Sequence, residues 1–468
     1  MSSARPQRRA DAPYGGAFPP RLELSTSSQE LVKKELKWWS KATSLLFSKG
    51  KYLKYPAGLA AVVAAYQVLT SAERAEMIDN LEVSAPQQQE IRKALEELLE
   101  EPFKPNMFCL NQNASTIAGY LRRLPSITTR REMISTDSQG AQIALDWMEY
   151  DEALLSAPWG PCTPILLLIH GLNGHSNETY IRYMMLLAHR QGWRAVGFNH
   201  RGCGETRLYT PKPYNGACTL DLRAACAHIR RRVPGAPVYA AGFSLGANLL
   251  VKYLGEEGAA APLAGAAAVS NPWNFSKNGS VTHGTTLTAL GYSLALTHEL
   301  KSHVRRHRPA LEGAHPGIDV DDVLSTATLR EFDERFTVPL GGFRDVADYH
   351  EQSRSCDYLG AVRVPLLCLN AEDDPVVAAG ALPRGKFAAH PTGQAVLVTT
   401  RRGGHIGWGQ AGGSPLAGAS WGERLVMGYL EAVHRAGAGA AAAAAAPTAT
   451  AVGGGGAGGG SVRLPARL

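Results

Sequence analysis

Between residues 124 and 400 the sequence alternates short apolar runs with amphipathic ones, and this alternation restricts the fold more than any other feature. Strand-like runs lie at "LPSITTRREMI", "AQIALDWMEY", "PILLLIH", "WRAVGFN", "PVYAAGF", "AGAAAVS", "VPLLCLN" and "QAVLVTT". Several are continuously apolar, as strands buried on both faces of a parallel sheet are. Helical spacing fills stretches between them, at 177–191, 219–232 and 244–257, and follows the last of them at 418–435. The expected fold class is therefore α/β: a mostly parallel, doubly wound sheet led by two strands of antiparallel type. The one long interruption, residues 272–357, is helical and polar by pattern, and reads as a cap inserted after the sixth strand.

The ends of the chain differ in character from this region. A basic N-terminal segment, 1–56, begins rich in Pro, Ser and Arg, in the manner of a disordered or organellar transit segment. Residues 57–125 read as a helical extension, with a clear helix from Ser84 to Glu101 marked by Pro86 in its first turn. The α/β domain is expected over 126–435. Residues 436–468, "AGAGAAAAAAAPTATAVGGGGAGGGSVRLPARL", are of low complexity and are left out of the fold.

Charge narrows the partners. Residues 1–54 carry 11 lysines and arginines against 4 acids, which accounts for the whole formal charge of +7. The rest of the chain is balanced, so no nucleic-acid partner is expected. Within 29–69, Trp38, Trp39, Leu45, Leu46 and Phe47 alternate with lysines, a pattern suited to peripheral contact with a membrane surface. The apolar stretch 57–69 is too short to span a bilayer. Seven scattered cysteines without a C-x-x-C pair point to reduced thiols in an intracellular compartment and give no structural zinc site. His303 and His307 form an H-x-x-x-H pair, but within "KSHVRRHRP" they read as part of a solvated basic face rather than as metal ligands.

The chemistry concentrates at "PVYAAGFSLGANLLVKYL". A strand enters Gly242, Ser244 sits at the turn, and helical spacing follows Gly246. Small residues at both glycine positions permit the strained turn that lifts a serine hydroxyl out of the sheet edge. A serine needs a base to take its proton, and the base needs an acid to orient it. "AVLVTTRRGGHIGWG" supplies His405 in a glycine-flanked loop after the last strand, and "PLLCLNAEDDPVV" ends a strand in Asp373 and Asp374. Consecutive side chains leaving a strand diverge, so only one of the two can reach His405. Counting from the strand end favours Asp373; the turn favours Asp374, because Pro375 fixes the backbone directly after it. The turn is the firmer guide, which makes Asp374 the acid and Asp373 a turn-capping or supporting carboxylate. For the developing oxyanion, the backbone amides of Leu245 and Leu172 are the candidates, with Asn173 next.

These residues resemble the α/β-hydrolase superfamily and, within it, the YheT-like family that includes the mammalian ABHD1, ABHD2 and ABHD3 lipases and plant embryogenesis-associated hydrolases. The resemblance rests on "ALDW", "IHGLNGHS", "FNHRGCGETR", "GFSLGANLLVKYLGEEG", "TLREFDERFTVPLGGFRDVADYH", "LCLNAEDDPVV" and "GGHIGW", and spans about residues 110–430. The segment "NQNASTIAGYL" matches the family pattern only loosely. The resemblance implies a cofactor-free serine esterase or lipase acting on lipid-like esters such as monoacylglycerols or phospholipids. Ser244 would be the nucleophile, His405 the base and an aspartate of the 373/374 pair the acid. Two other readings are acyl transfer to an alcohol from the same acyl-enzyme, and a catalytically silent lipid-binding scaffold.

Overall fold

Strands buried on both faces need helices on both sides, and the computed structural model has that arrangement. It describes residues 74–80, 82, 84–106, 109, 111–151, 158–276, 287–411 and 417–445. The chain divides into two units, 1–66 and 67–468, and all of these residues belong to the second. The expectations placed on 1–56, on 29–69 and on the sequence beyond 445 lie wholly or largely outside the described residues.

The described strands are β1 (Glu76–Ile78), β2 (Thr129–Ser135), β3 (Gln142–Met148), β4 (Ile165–Ile169), β5 (Arg194–Asn199), β6 (Val238–Phe243), β7 (Gly265–Val269), β8 (Leu366–Ala371) and β9 (Ala395–Thr400). They form one sheet in the order β1-β9-β8-β7-β6-β4-β5-β3-β2. Strands β4 to β9 pair in parallel, while β2 and β3 are antiparallel to their neighbours and β1 is antiparallel to β9. All eight strands read from the sequence are present. The ninth, β1, lies inside the stretch 57–125 that reads as helical, and three residues are too few to show an alternation.

The described α-helices are α1 (Pro86–Leu99), α2 (Gln112–Leu121), α3 (Thr179–Arg190), α4 (Leu220–Arg232), α5 (Leu245–Glu257), α6 (Leu287–Leu311), α7 (Val320–Ser325), α8 (Leu329–Phe332), α9 (Val338–Gly341), α10 (Val346–Ser353), α11 (Arg384–Ala388) and α12 (Trp421–Ala445). Period-two alternation sorts the sheet's side chains between two cores. On β4, Ile165, Leu167 and Ile169 face the core shared with α4 and α5, whereas Leu166 and Leu168 face the one shared with α3 and α12. The sequence pattern ends helix α12 near 435, whereas the helix runs to Ala445; alanine carries the highest helix propensity, so the low-complexity stretch extends the helix.

The described residues between β7 and β8 form the cap, after the sixth of the eight strands read in the sequence. Although polar overall, the cap has its own small core: Val304 and Leu311 of α6 meet Val320, Val323, Phe332 and Phe336. The strand order reverses around β4, which lies between β5 and β6. Ligands of open α/β sheets bind at the carboxyl ends of the strands beside such a reversal. The loops that leave β4 and β6 there are those that carry Leu172 and Ser244.

Candidate active site

Ser244 joins β6 to α5 with φ 53° and ψ −120°, a conformation costly for a residue with a side chain. Two glycines make the turn sterically feasible. A Cβ on Gly242 would stand 2.5 Å from the carbonyl oxygen of Gly246, and one on Gly246 would stand 2.4 Å from that of Ile169 on β4. Helix α5 can therefore start directly against the sheet, with the Ser244 side chain at the strand's carboxyl end.

The three polar residues that the sequence singles out meet there. His405 Nε2 lies 2.9 Å from Ser244 Oγ, and His405 Nδ1 lies 2.8 Å from Asp374 Oδ2. Asp374 Oδ1 accepts the backbone N–H groups of Val376 at 2.8 Å and Val377 at 3.0 Å, in the turn that Pro375 begins. Asp373 does something different: its Oδ1 accepts the Gly404 N–H at 2.8 Å, next to His405 in the chain. His405 and Asp374 are buried, while Ser244 is partly accessible.

The loop that carries His405 is held from several sides, and part of that support is absent from the sequence reading. Gly404 and the non-glycine residues Ile406 and Trp408 all have positive φ. The His405 N–H donates to Thr116 Oγ1 at 2.9 Å, the Ile406 N–H to Ser270 Oγ at 3.1 Å, and the Ser115 hydroxyl to the Gly403 carbonyl at 3.0 Å. Ser115 and Thr116 belong to α2, the loosely matching "NQNASTIAGYL". Asn111 caps that helix by accepting the Ala114 N–H. Just beyond its end, Arg122 donates to Glu423 of α12 at 2.8 Å in a buried ion pair. A polar pair of that kind fixes an orientation that apolar packing alone would leave looser.

The oxyanion candidates can be separated by what their amides do. The Asn173 N–H donates to Tyr214 Oη at 2.6 Å and the Gly171 N–H to Tyr180 Oη at 3.2 Å. Leu172 lies between them, and it lines the same cavity as Leu245 and Ser244. His170 secures the start of this loop. Burial pushes its pKa down to about 3, so the ring is neutral; Nε2 accepts the His200 N–H, which leaves Nδ1 to donate to the Gly171 carbonyl at 2.7 Å. Tyr214 stacks on His200 with ring centroids 4.5 Å apart.

His303 and His307 do not form a solvated face. Both are buried: His307 Nε2 donates to the Gly202 carbonyl at 2.7 Å, and His303 Nδ1 donates to Asn173 Oδ1 at 3.3 Å. The neighbouring arginines mislead at sequence level, because helical spacing puts the two histidines on the inner face of α6 and Arg305 and Arg306 on the outer. The "RGCGE" loop has a similar structural basis: Arg201 forms a buried ion pair with Asp221, and a Cβ on Gly204 would stand 2.2 Å from Asn199 Oδ1.

Above Ser244 opens a cavity of about 630 Å³, within the range of small-molecule sites. Leu296, Leu300, Leu329, Phe332, Phe336 and Leu340 of the cap supply much of its apolar wall. Glu178 and Glu299 supply a polar part. Burial first, and then the Glu299 charge, push the Glu178 carboxyl up to about 7. Between its unfolded value near 4.5 and 7 the folded state holds a proton that the unfolded state has released, so stability falls as pH rises through that window, by up to about 3 kcal/mol. Glu178→Gln removes this titration. Thermal unfolding from pH 5 to 7.5 should give a shallower decline of Tm for the variant than for the parent, and parallel curves would exclude the effect.

A family model described as alpha/beta hydrolase fold matches residues 164–407. Embryogenesis-associated protein EMB8 of Picea glauca is 34% identical, covering 72% of this chain and 74% of its own length. Phospholipase ABHD3 of Mus musculus is 36% identical, covering 66% and 73%. A monoacylglycerol lipase of Saccharomyces cerevisiae is 35% identical, covering 52% and 55%.

Proposed function

Because this chain belongs to the α/β-hydrolase family, we propose that it hydrolyses carboxylic esters of lipid-like acids through a Ser244–His405–Asp374 triad. The observation that carries this reading is the hydrogen-bonded line from Asp374 Oδ2 through His405 to Ser244 Oγ at the floor of an apolar cavity. The relatives named as a phospholipase and a monoacylglycerol lipase support acylglycerols or phospholipids as the substrate class.

In the acylation step Ser244 Oγ attacks the ester carbonyl carbon and its proton passes to His405 Nε2. Negative charge gathers on the former carbonyl oxygen, within reach of the Leu245 and Leu172 amides. The imidazolium, stabilised by Asp374 at Nδ1, then gives its proton to the departing alcohol oxygen as the carbon–oxygen bond breaks. Water repeats the sequence on the acyl-enzyme: its oxygen attacks the acyl carbon while Nε2 takes its proton, that proton then passes to Ser244 Oγ as the acyl carbon–Oγ bond breaks, and the free acid leaves. The cap's leucines and phenylalanines would hold the acyl chain, each buried methylene adding about 0.8 kcal/mol.

A fluorophosphonate probe should label the protein at Ser244, and a series of esters from two to sixteen acyl carbons should show kcat/KM rising with chain length until the cavity is filled. Absence of labelling would remove the hydrolase reading and favour a lipid-binding scaffold.

A further inference from the structure

Helix α2 has its residues arranged the wrong way round for a helix whose task is only to pack. Its buried positions are the small Ser115, Thr116 and Gly119, which face the loop of His405. Its large apolar residues point outward: Ile117 is 54% exposed, Tyr120 47% and Leu121 66%, and Leu124 just past the helix is 49% exposed. Positions 117, 120, 121 and 124 follow the i, i+3, i+4, i+7 spacing of a single helical stripe. Across from it, Leu294 of α6 is 50% exposed. The two helices meet where Tyr292 Oη donates to Asn113 Oδ1 at 3.2 Å.

This stripe is continuous with the cavity. Tyr120 and Tyr292 both line the space above Ser244, as do Ala295 and Leu296, the neighbours of Leu294. Charge adds a second constraint. From Asn111 to Arg131 the chain contains no acid and four arginines; Arg122 and Arg131 are paired with Glu423 and Asp146, while Arg123 and Arg130 are exposed. Arg123 lies in sequence between Leu121 and Leu124 and is exposed with them, and an apolar rim that carries a basic side chain is complementary to an anionic lipid surface.

We infer that the rim formed by Ile117, Tyr120, Leu121, Leu124 and Leu294 docks on an anionic lipid bilayer, placing the cavity mouth against the membrane so that an acyl ester enters from the lipid rather than from water. The inference rests on the reading of the cavity as an acyl-ester site. It concerns residues other than the basic stretch 29–69.

The test uses the full chain in three variants changed outside the cavity: Ile117→Glu with Leu121→Glu as a double variant, Leu294→Glu alone, and Met133→Glu as an exposed control on β2. Sedimentation is measured with vesicles of phosphatidylcholine containing 30% phosphatidylserine and with vesicles of phosphatidylcholine alone. Hydrolysis is measured on p-nitrophenyl butyrate in solution and on a long-chain ester carried in the vesicles. The rim variants should lose on the order of tenfold in vesicle partition per residue changed, and lose vesicle-ester hydrolysis with it. Hydrolysis of the soluble ester should stay at the parent level, and Met133→Glu should match the parent throughout. Rim variants that sediment like the parent would overturn the inference, as would a drop in melting temperature together with lost soluble-ester activity, which would mean that another segment of the chain covers the rim. Equal sedimentation with both vesicle types would overturn the choice of an anionic surface. A parent protein inactive on both esters would instead defeat the hydrolase reading, and the sedimentation results would still decide the docking surface.

Discussion

Ser244→Ala is expected to lower kcat by at least four powers of ten while leaving the fold and the cavity intact. The magnitude follows from the role proposed for the hydroxyl: it is the attacking atom, and it is hydrogen-bonded to its base at 2.9 Å. The structural cost of the change is small. The Ser244 N–H and carbonyl are already engaged, the former with Val269 and the latter with Asn248, and neither bond involves the side chain. Alanine would occupy the same positive-φ backbone at similar strain, because both residues carry a Cβ. Initial rates on a soluble ester, with circular dichroism and melting temperature as controls, test the expectation. Activity above about a tenth of the parent, in protein that melts like the parent, would exclude Ser244 as the nucleophile.

The sheet and the loops that present Ser244, Asp374 and His405 were legible in the sequence for a common reason. Each depends on local signals that tertiary structure does not override: apolar runs too continuous for anything but a buried strand, and glycines where a Cβ would strike a neighbouring carbonyl, as at Gly242 and Gly246. What escaped notice depends on contacts between distant segments. Thr116 supports the His405 N–H from 289 positions away, and no local pattern marks a threonine for that task. Tyr214 likewise looks like any loop tyrosine until Asn173 is found donating to it. Charge density in "KSHVRRHRP" suggests a solvated face for His303 and His307, but helical phase decides which side chains turn inward, and it buries both. Short β1 and the alanine-rich end of α12 mark the remaining differences, one too brief for periodicity and the other judged by complexity instead of propensity.

Replacing the two adjacent aspartates one at a time should separate their roles by several powers of ten. Asp374 spends its two oxygens on different partners: Oδ1 accepts the Val376 and Val377 N–H groups, and Oδ2 faces His405 Nδ1. In Asp374→Asn the side-chain oxygen has to remain where the two backbone donors are, since an NH₂ there would oppose two N–H groups. The amide nitrogen is thereby turned toward His405 Nδ1, which then has to accept. The ring's proton moves to Nε2, and the lone pair that would take the Ser244 proton is gone. A loss on the order of 10⁴ in kcat is expected, as for the same change of tautomer in serine proteases. Asp373→Asn keeps an oxygen to accept the Gly404 N–H, so the loop of His405 retains that support and kcat should fall no more than about tenfold. The pH–rate profile adds a second readout, because a wrong tautomer persists across the pH range whereas a loosened loop leaves the profile's shape unchanged. A greater loss from Asp373→Asn than from Asp374→Asn, measured on the same ester, would reassign the acid.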